Sequence, residues 1–232
     1  MKTVAIRRAF LCLEALFSLL FFLCDLTGRT LLLSSTVWKF LVVVFALLYV
    51  AREFFCTDRE DRLFCRRLFL LFAMILTLVS DLFLLALNDH YTVGVCTFVA
   101  AQLFHALTIK RSRKQAIVSL ALRLTFLLLT VLILRLAGEL TMLYAAVACY
   151  APQLIGNLIE HFVGVFRNSG EEKKRSLLLA IAFSLFFACD VCVGLSNIGL
   201  SGASLFIWIF YAPSQALIAI SFGRFYNENE ND

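Results

Sequence analysis

Two carboxylates, one lysine and a few phenol and amide side chains lie inside stretches of this 232-residue chain that are otherwise apolar. Asp81 sits in LFAMILTLVSDLFLLALN and Asp190 in LLAIAFSLFFACDVCVGLSN. Each is followed seven residues later by an asparagine, Asn88 and Asn197. In an α-helix that spacing puts both members on one face, two turns apart. Lys39, Gln102, Tyr150, Tyr211 and Gln215 lie in other apolar stretches. A charged side chain in hydrocarbon costs about 2.5–3.5 kcal/mol even on the gentle insertion scale, so each needs a reason to be there. Two acids near one base leave one carboxyl without a counter-ion. A carboxyl that keeps its proton beside one that has lost it is the arrangement for general acid–base hydrolysis. The alternative is a structural polar knot, in which Lys39 neutralises one aspartate and the amides satisfy the rest.

The elements that must position these groups are membrane helices. The chain is 62% hydrophobic and 16% charged, with a mean hydropathy of +0.90. A soluble domain carries about 45–50% apolar and about 25% charged residues. The apolar runs are continuous and do not alternate, and two prolines and ten glycines give little turn material, which disfavours a membrane barrel. Eight spans are predicted, at 9–26, 31–50, 68–87, 91–109, 116–136, 140–166, 177–197 and 203–222, most near the ~20 residues that cross a bilayer. Pro152 and Pro213 each remove a backbone hydrogen bond from the sixth and eighth.

Charge orients the spans. Residues 2–8, 52–67, 110–114, 167–175 and Arg224 hold 17 of the 21 lysines and arginines, whereas the opposite loops hold only Arg29 and Arg135. By the positive-inside rule both termini are cytoplasmic, and the acidic end from Asn227 to Asp232 is a short solvated tail. Clustering between apolar runs accounts for the +5 net charge and argues against nucleic acid as a partner. On this topology Lys39, Asp81 and Asp190 fall at one depth in the outer half, with Gln102, Tyr150 and Tyr211 slightly deeper. The offsets Asp81 to Asp190 (109 residues), Gln102 to Gln215 (113) and Lys39 to Tyr150 (111) suggest a 4+4 parallel repeat.

The remaining polar groups point elsewhere. The first stretch has the basic start of a signal peptide, but Glu14 interrupts it and no small-x-small site follows, so an uncleaved span is expected. Glu14 is assigned a helix–helix hydrogen bond. Arg123 is placed to snorkel to the cytoplasmic side, and Glu160 and His161 are read as interfacial. His90, His105 and His161 lie at scattered depths, which opposes a zinc hydrolase. Cys189 and Cys192 form a CxxC within a span without a second pair, and the eight cysteines read as small apolar residues. No Gly-rich phosphate loop or GxSxG elbow occurs.

The chain resembles the YhhN family of lysoplasmalogenase-like membrane proteins, most strongly over residues 80–107, 185–197 and 207–221. The family's paired aspartates fall on Asp81 and Asp190. Its Gly-x-x-x-Phe falls on Gly94 and Phe98, its Tyr-x-x-x-Gln on Tyr211 and Gln215, and its early lysine on Lys39. The sequence departs from the pattern at Ser80 (usually Gly), Phe40 (usually Pro), and Gln102 and His105 (usually His and Tyr). The resemblance implies hydrolysis of the vinyl ether bond of a lysoplasmalogen-type lysophospholipid drawn from the bilayer. The products would be a fatty aldehyde and a glycerophospho-alcohol, and no cofactor is required. Asp81 and Asp190 would be the catalytic pair. Lys39 would set their protonation, and Gln102, Tyr150, Tyr211, Gln215 and Asn197 would bind or orient the substrate. The expected fold is an all-α integral membrane protein, one transmembrane domain over 1–232. A small transporter or lipid-binding protein using the same polar cavity, or a structural subunit, are the competing expectations.

Overall fold

The computed structural model describes residues 2–30, 32–61, 63–200 and 202–223. Arg62, Arg224 and the acidic tail lie outside the described residues. Among the described residues the elements are eight α-helices and one π-helical segment: α1 (Lys2–Thr27), α2 (Ser35–Phe55), α3 (Phe64–Asp81), the π-segment (Leu82–Leu87), α4 (Tyr91–Leu107), α5 (Arg113–Leu136), α6 (Met142–Arg167), α7 (Gly170–Asn197) and α8 (Ala203–Ile220). Each predicted span falls on one helix, except that the third runs through α3 and the π-segment. Six of these stretches are long and apolar enough to cross a membrane: Val4–Thr27, Phe64–Leu87, Arg113–Leu136, Met142–Arg167, Gly170–Asn197 and Ala203–Ile220. Apolar α4 is shorter. These helices make the chain a multi-pass membrane protein in type.

Short polar caps define where helices start. Ser34 accepts from the Val37 amide at the start of α2 and Thr141 from the Tyr144 amide at the start of α6. Ser112 and Gln115 form a reciprocal capping box at α5, which satisfies amides a helix start leaves without partners. The Ser34 cap moves the start of α2 four residues beyond the predicted one. Lys39 therefore lies only about 6 Å below the helix end, shallower than expected.

The backbones pack as a ring. Successive neighbours are α2, α3, α4, α6, α7 and α8, and α8 closes onto α2. Helix α1 lies outside against α2 and α8, and α5 lies outside against α6. Each contact within the first four helices has a counterpart in the second four: α1·α2 with α5·α6, α2·α3 with α6·α7, and α3·α4 with α7·α8. The two joining contacts, α2·α8 and α4·α6, also correspond. The α1·α8 contact has no α5·α4 equivalent. Side chains fill the centre, where Phe186 on α7 meets Phe98 on α4 edge-on at 5.8 Å and Phe183 meets His105 at 5.3 Å. The upper face of the bundle carries the α1–α2, α3–α4, α5–α6 and α7–α8 turns, and the lower face the other three.

The approach of α4 to the π-segment depends on glycine. A Cβ on Gly94 would lie 2.6 Å from Leu84 in the π-segment, so glycine lets α4 close on it. Ser80 then donates to the Gly94 carbonyl at 2.6 Å, tying α3 to α4. At the lower face, arginines hold the end of α8. The Arg67 Nε donates to the Phe222 carbonyl at 3.2 Å and the Arg175 Nε to the Ser221 carbonyl at 3.1 Å. The Phe222 ring lies under both the Arg66 and Arg175 guanidiniums. Glu172 accepts from Arg66 and Arg175. These arginines, read from the sequence only as topology charges, supply donors to carbonyls that a helix end leaves without partners.

Replacing Arg175 with leucine removes one of these donors and unpairs Glu172 on one side. It should lower stability by about 1–3 kcal/mol, the scale of hydrogen bonds to a charged group, because Glu172 keeps Arg66, measured by thermal unfolding in detergent. Arg113→Leu, at an exposed position, should change little.

Candidate functional site

The two aspartates each receive a phenol. Tyr211 on α8 donates its hydroxyl to Asp81 on α3 at 2.6 Å. Tyr150 on α6 donates to Asp190 on α7, also at 2.6 Å. Asp81 and Tyr211 are buried, and Asp190 and Tyr150 are half-buried. Among the described residues neither carboxyl takes part in an ion pair. The Asp81–Tyr211 bond joins helices whose backbones are not neighbours, so it crosses the ring.

Aromatic rings connect the two pairs. Tyr211 packs on Phe186 at 5.4 Å, Phe186 on Phe98 at 5.8 Å, and Phe98 on Tyr150 at 5.9 Å. Tyr150 and Cys189 lie within electrostatic reach of both carboxyls. Counting from the upper helix ends, Asp190 lies about 10 Å deep and Tyr150 and Tyr211 about 12 Å. The matched depth expected from the sequence thus becomes two acid–phenol pairs around one aromatic centre.

The other predicted residues divide. Lys39 does not reach either aspartate. It pairs with Asp25 at 2.7 Å, near the upper end of α1, and its ammonium lies 5.7 Å from the Phe21 ring centre and 5.5 Å from that of Trp208. The shallow position of Lys39 on α2 explains this. Trp208 in turn meets Tyr211 edge-on at 5.1 Å, so only one ring separates the ion pair from the Asp81–Tyr211 bond. Gln215 is fully buried one turn below Tyr211, with neither amide atom hydrogen-bonded. Asn197 is exposed at the end of α7 and joins neither pair. The expected Asp81–Asn88 face is also lost. The π-segment intervenes, and Asn88 adopts a left-handed conformation, φ 50°, and accepts from Tyr91.

Gln102 belongs to a second, lower network. Its side-chain and main-chain oxygens accept from Asn157 at 2.8 and 2.9 Å, and Asn157 accepts from Arg123 at 2.9 Å. Arg123 does not snorkel. It is buried and also donates to the Gln153 side chain, to Glu160 at 2.7 Å and to Ser119. Glu160 further accepts from Arg111 and from Ser119. With so many acceptors at hand, bonding inside the bundle replaces hydration. A Cβ on Gly156 would lie 2.6 Å from the Arg123 guanidinium carbon, so glycine leaves its room. His161 is buried and stacked on Phe183, with Nε2 unpartnered, rather than interfacial. Glu14 is buried with neither oxygen hydrogen-bonded, so the helix–helix bond expected for it does not form. The sequence did hold a signal for the lower network: Gln153, Asn157 and Glu160 follow at four and three residues, on one helix face. The signal for Asp25 was opposite charge across one short turn. Among the described residues no three His, Cys, Asp or Glu side chains gather in a metal-binding group.

These features define a helical membrane protein with two acid–phenol pairs around an aromatic centre. The sequence profile of the YhhN family matches residues 34–222, and the chain belongs to that family. The match covers α2 to α8 and leaves α1 outside it. No curated protein and no solved structure matches the chain.

A Gly-to-Ala change inside a helix ordinarily adds about 0.5–1 kcal/mol of stability. Gly156→Ala should instead destabilise by about 1–3 kcal/mol through overpacking against Arg123. Thermal unfolding of the purified variant checks the sign.

Proposed function

We propose that the protein is a membrane hydrolase cleaving the vinyl ether of lysoplasmalogen-type lysophospholipids. The observation that carries this reading is the pair of cation-free aspartates, each bonded to a tyrosine and both set around one aromatic centre. Family membership supports the class of reaction.

A vinyl ether is activated by a proton at its β-carbon, which leaves an oxocarbenium-like cation. Water adds to the cationic carbon and loses a proton, and the hemiacetal collapses to a fatty aldehyde and a glycerophospho-alcohol. Overall one water is consumed. One aspartate supplies the proton and the other accepts a proton from the water. The two titrate as a coupled pair, so the roles belong to the pair. The flanking π-faces of Phe98 and Phe186 suit a passing cation. Tyr150 and Tyr211 hold the carboxyls, and Gln215 offers unused amide hydrogen bonds. Lys39, paired with Asp25 above the site, is assigned to the head-group end.

We further infer that α2 and α4 also cross, giving eight spans in the cell membrane with residues 2–8 and 224–232 on the cytoplasmic side. The 17-to-2 charge split supports this. A fluorescent protein fused after Asp232 should fold and fluoresce, and an alkaline phosphatase fused there should be inactive. The opposite pattern rejects the orientation.

Purified protein given lysoplasmalogen should release aldehyde, carrying one deuterium on the carbon next to the carbonyl when the reaction runs in D2O. Asp81→Asn and Asp190→Asn should each fall by at least ~100-fold, the range of general acid–base catalysis. Tyr211→Phe should fall about tenfold, the loss of roughly one hydrogen bond. Full activity in both aspartate variants removes the mechanism. The corresponding contacts of the two helix quartets also suit a transporter built from parallel repeats. Uptake of the lipid into proteoliposomes without aldehyde favours that reading.

A further inference from the structure

Outside the ring, α1 and α8 do not close on each other fully. Between them runs an open groove of about 520 Å³, within the range of about 300–1,000 Å³ typical of small-molecule sites. Its walls are leucine, isoleucine, phenylalanine and alanine side chains with Trp208, Pro213 and the hydroxyl-bearing Ser18. The Phe21–Trp208 ring contact at 5.8 Å fixes its upper end. Glu14 and Ala216 lie seven and eight residues further down their helices, about 10–12 Å. The groove therefore extends along two helical turns and places one carboxyl near its lower end.

That carboxyl is the anomaly. Glu14 lines the groove, is 4% exposed, and neither oxygen has a hydrogen-bond partner. An unsatisfied polar group away from water is costly, and in hydrocarbon the natural remedy is a ligand that donates to it. The walls take a chain and the carboxyl takes a donor. Glu14 has no cation in contact among the described residues and sits in a groove that is otherwise lined, apart from Ser18, by apolar side chains. The donor that suits such surroundings at the lowest desolvation cost is a hydroxyl.

We infer that the α1–α8 groove binds a single long aliphatic chain bearing a hydroxyl group, which donates to the Glu14 carboxyl. The site lies outside the helix ring and apart from both aspartate–tyrosine pairs. It stands whether or not the chain hydrolyses ethers. It touches the Asp81 pair through one residue, because Trp208 forms a groove wall and packs against Tyr211. Seven of the twelve lining residues come from α1, the helix that the family match does not cover.

Trp208 also reports on the site. The chain has two tryptophans, so Trp38→Phe leaves Trp208 as the sole indole emitter. That protein, in bilayers free of bromine, is titrated with dibrominated hexadecanol and, separately, with dibrominated hexadecane. The alcohol should quench Trp208 at a mole fraction at least about fivefold lower than the alkane, the preference one hydrogen bond confers. Glu14→Leu should bring the two curves together, and Glu14→Gln, which keeps an acceptor oxygen, should retain part of the gap. Adding Asp81→Asn should leave the preference intact, which separates this site from the proposed hydrolysis. Equal quenching by alcohol and alkane in protein carrying Glu14 overturns the inference, as does an alcohol preference that survives Glu14→Leu. Disulfide cross-linking of Leu19→Cys copies that excludes both probes overturns it in favour of a second copy as the occupant.

Discussion

Two aspartates stand inside the bundle with no cation paired to them among the described residues, and phenols do the holding. The Asp81–Tyr211 bond spans a gap that the backbones of α3 and α8 do not close. The Asp190–Tyr150 bond joins adjacent helices. Donation from a neutral hydroxyl leaves each acid free of the fixed charge that a lysine or arginine would impose. The arrangement of the ring follows from this requirement. The α8 helix must be fixed in height so that its phenol reaches across. Fixing it is the task of the arginines of α3 and α7, which grip the Ser221 and Phe222 carbonyls at the other end of the same helix.

The molecule treats its two kinds of polar group differently. At the lower face, charges are matched in dense networks: Arg66 and Arg175 with Glu172, and Arg111 and Arg123 with Glu160. Among the described residues the upper half holds the Lys39–Asp25 pair and the exposed Asp89–His90 contact, both above the aspartates. The surroundings of the aspartates therefore contain acids and phenols, with the matched charges set above and below them. That separation suits a site in which protons, rather than ions, are the mobile species.

Much of this is legible in the sequence. Hydropathy places all eight helices, and counting residues from span ends places Asp81, Asp190, Tyr150 and Tyr211 at nearly one level. The failures share a cause. Depth along a span says nothing about which neighbour a side chain faces, so depth alone sends Lys39 to the aspartates although Asp25 lies nearer. Distance from the helix end sends Arg123 to the interface, yet Gln153, Asn157 and Glu160 on the adjacent helix give it a better environment there in the bundle. The π-segment is invisible because nothing in LFLLAL announces a change of helical pitch. With it goes the expected Asp81–Asn88 alignment.

The contact between Gly94 and the π-segment carries a consequence for how such sequences can vary. A side chain at 94 would occupy the volume of Leu84, and Ser80 is bonded to the carbonyl of the same glycine. The three positions form one exchangeable unit. A gain in size at 94 must be met by a loss at 84, and a change at 80 alters how firmly the two helices are joined. Homologous chains should therefore drift at these positions in concert, and the π-segment that follows Asp81 at the top of α3 should outlast the identity of any one of them.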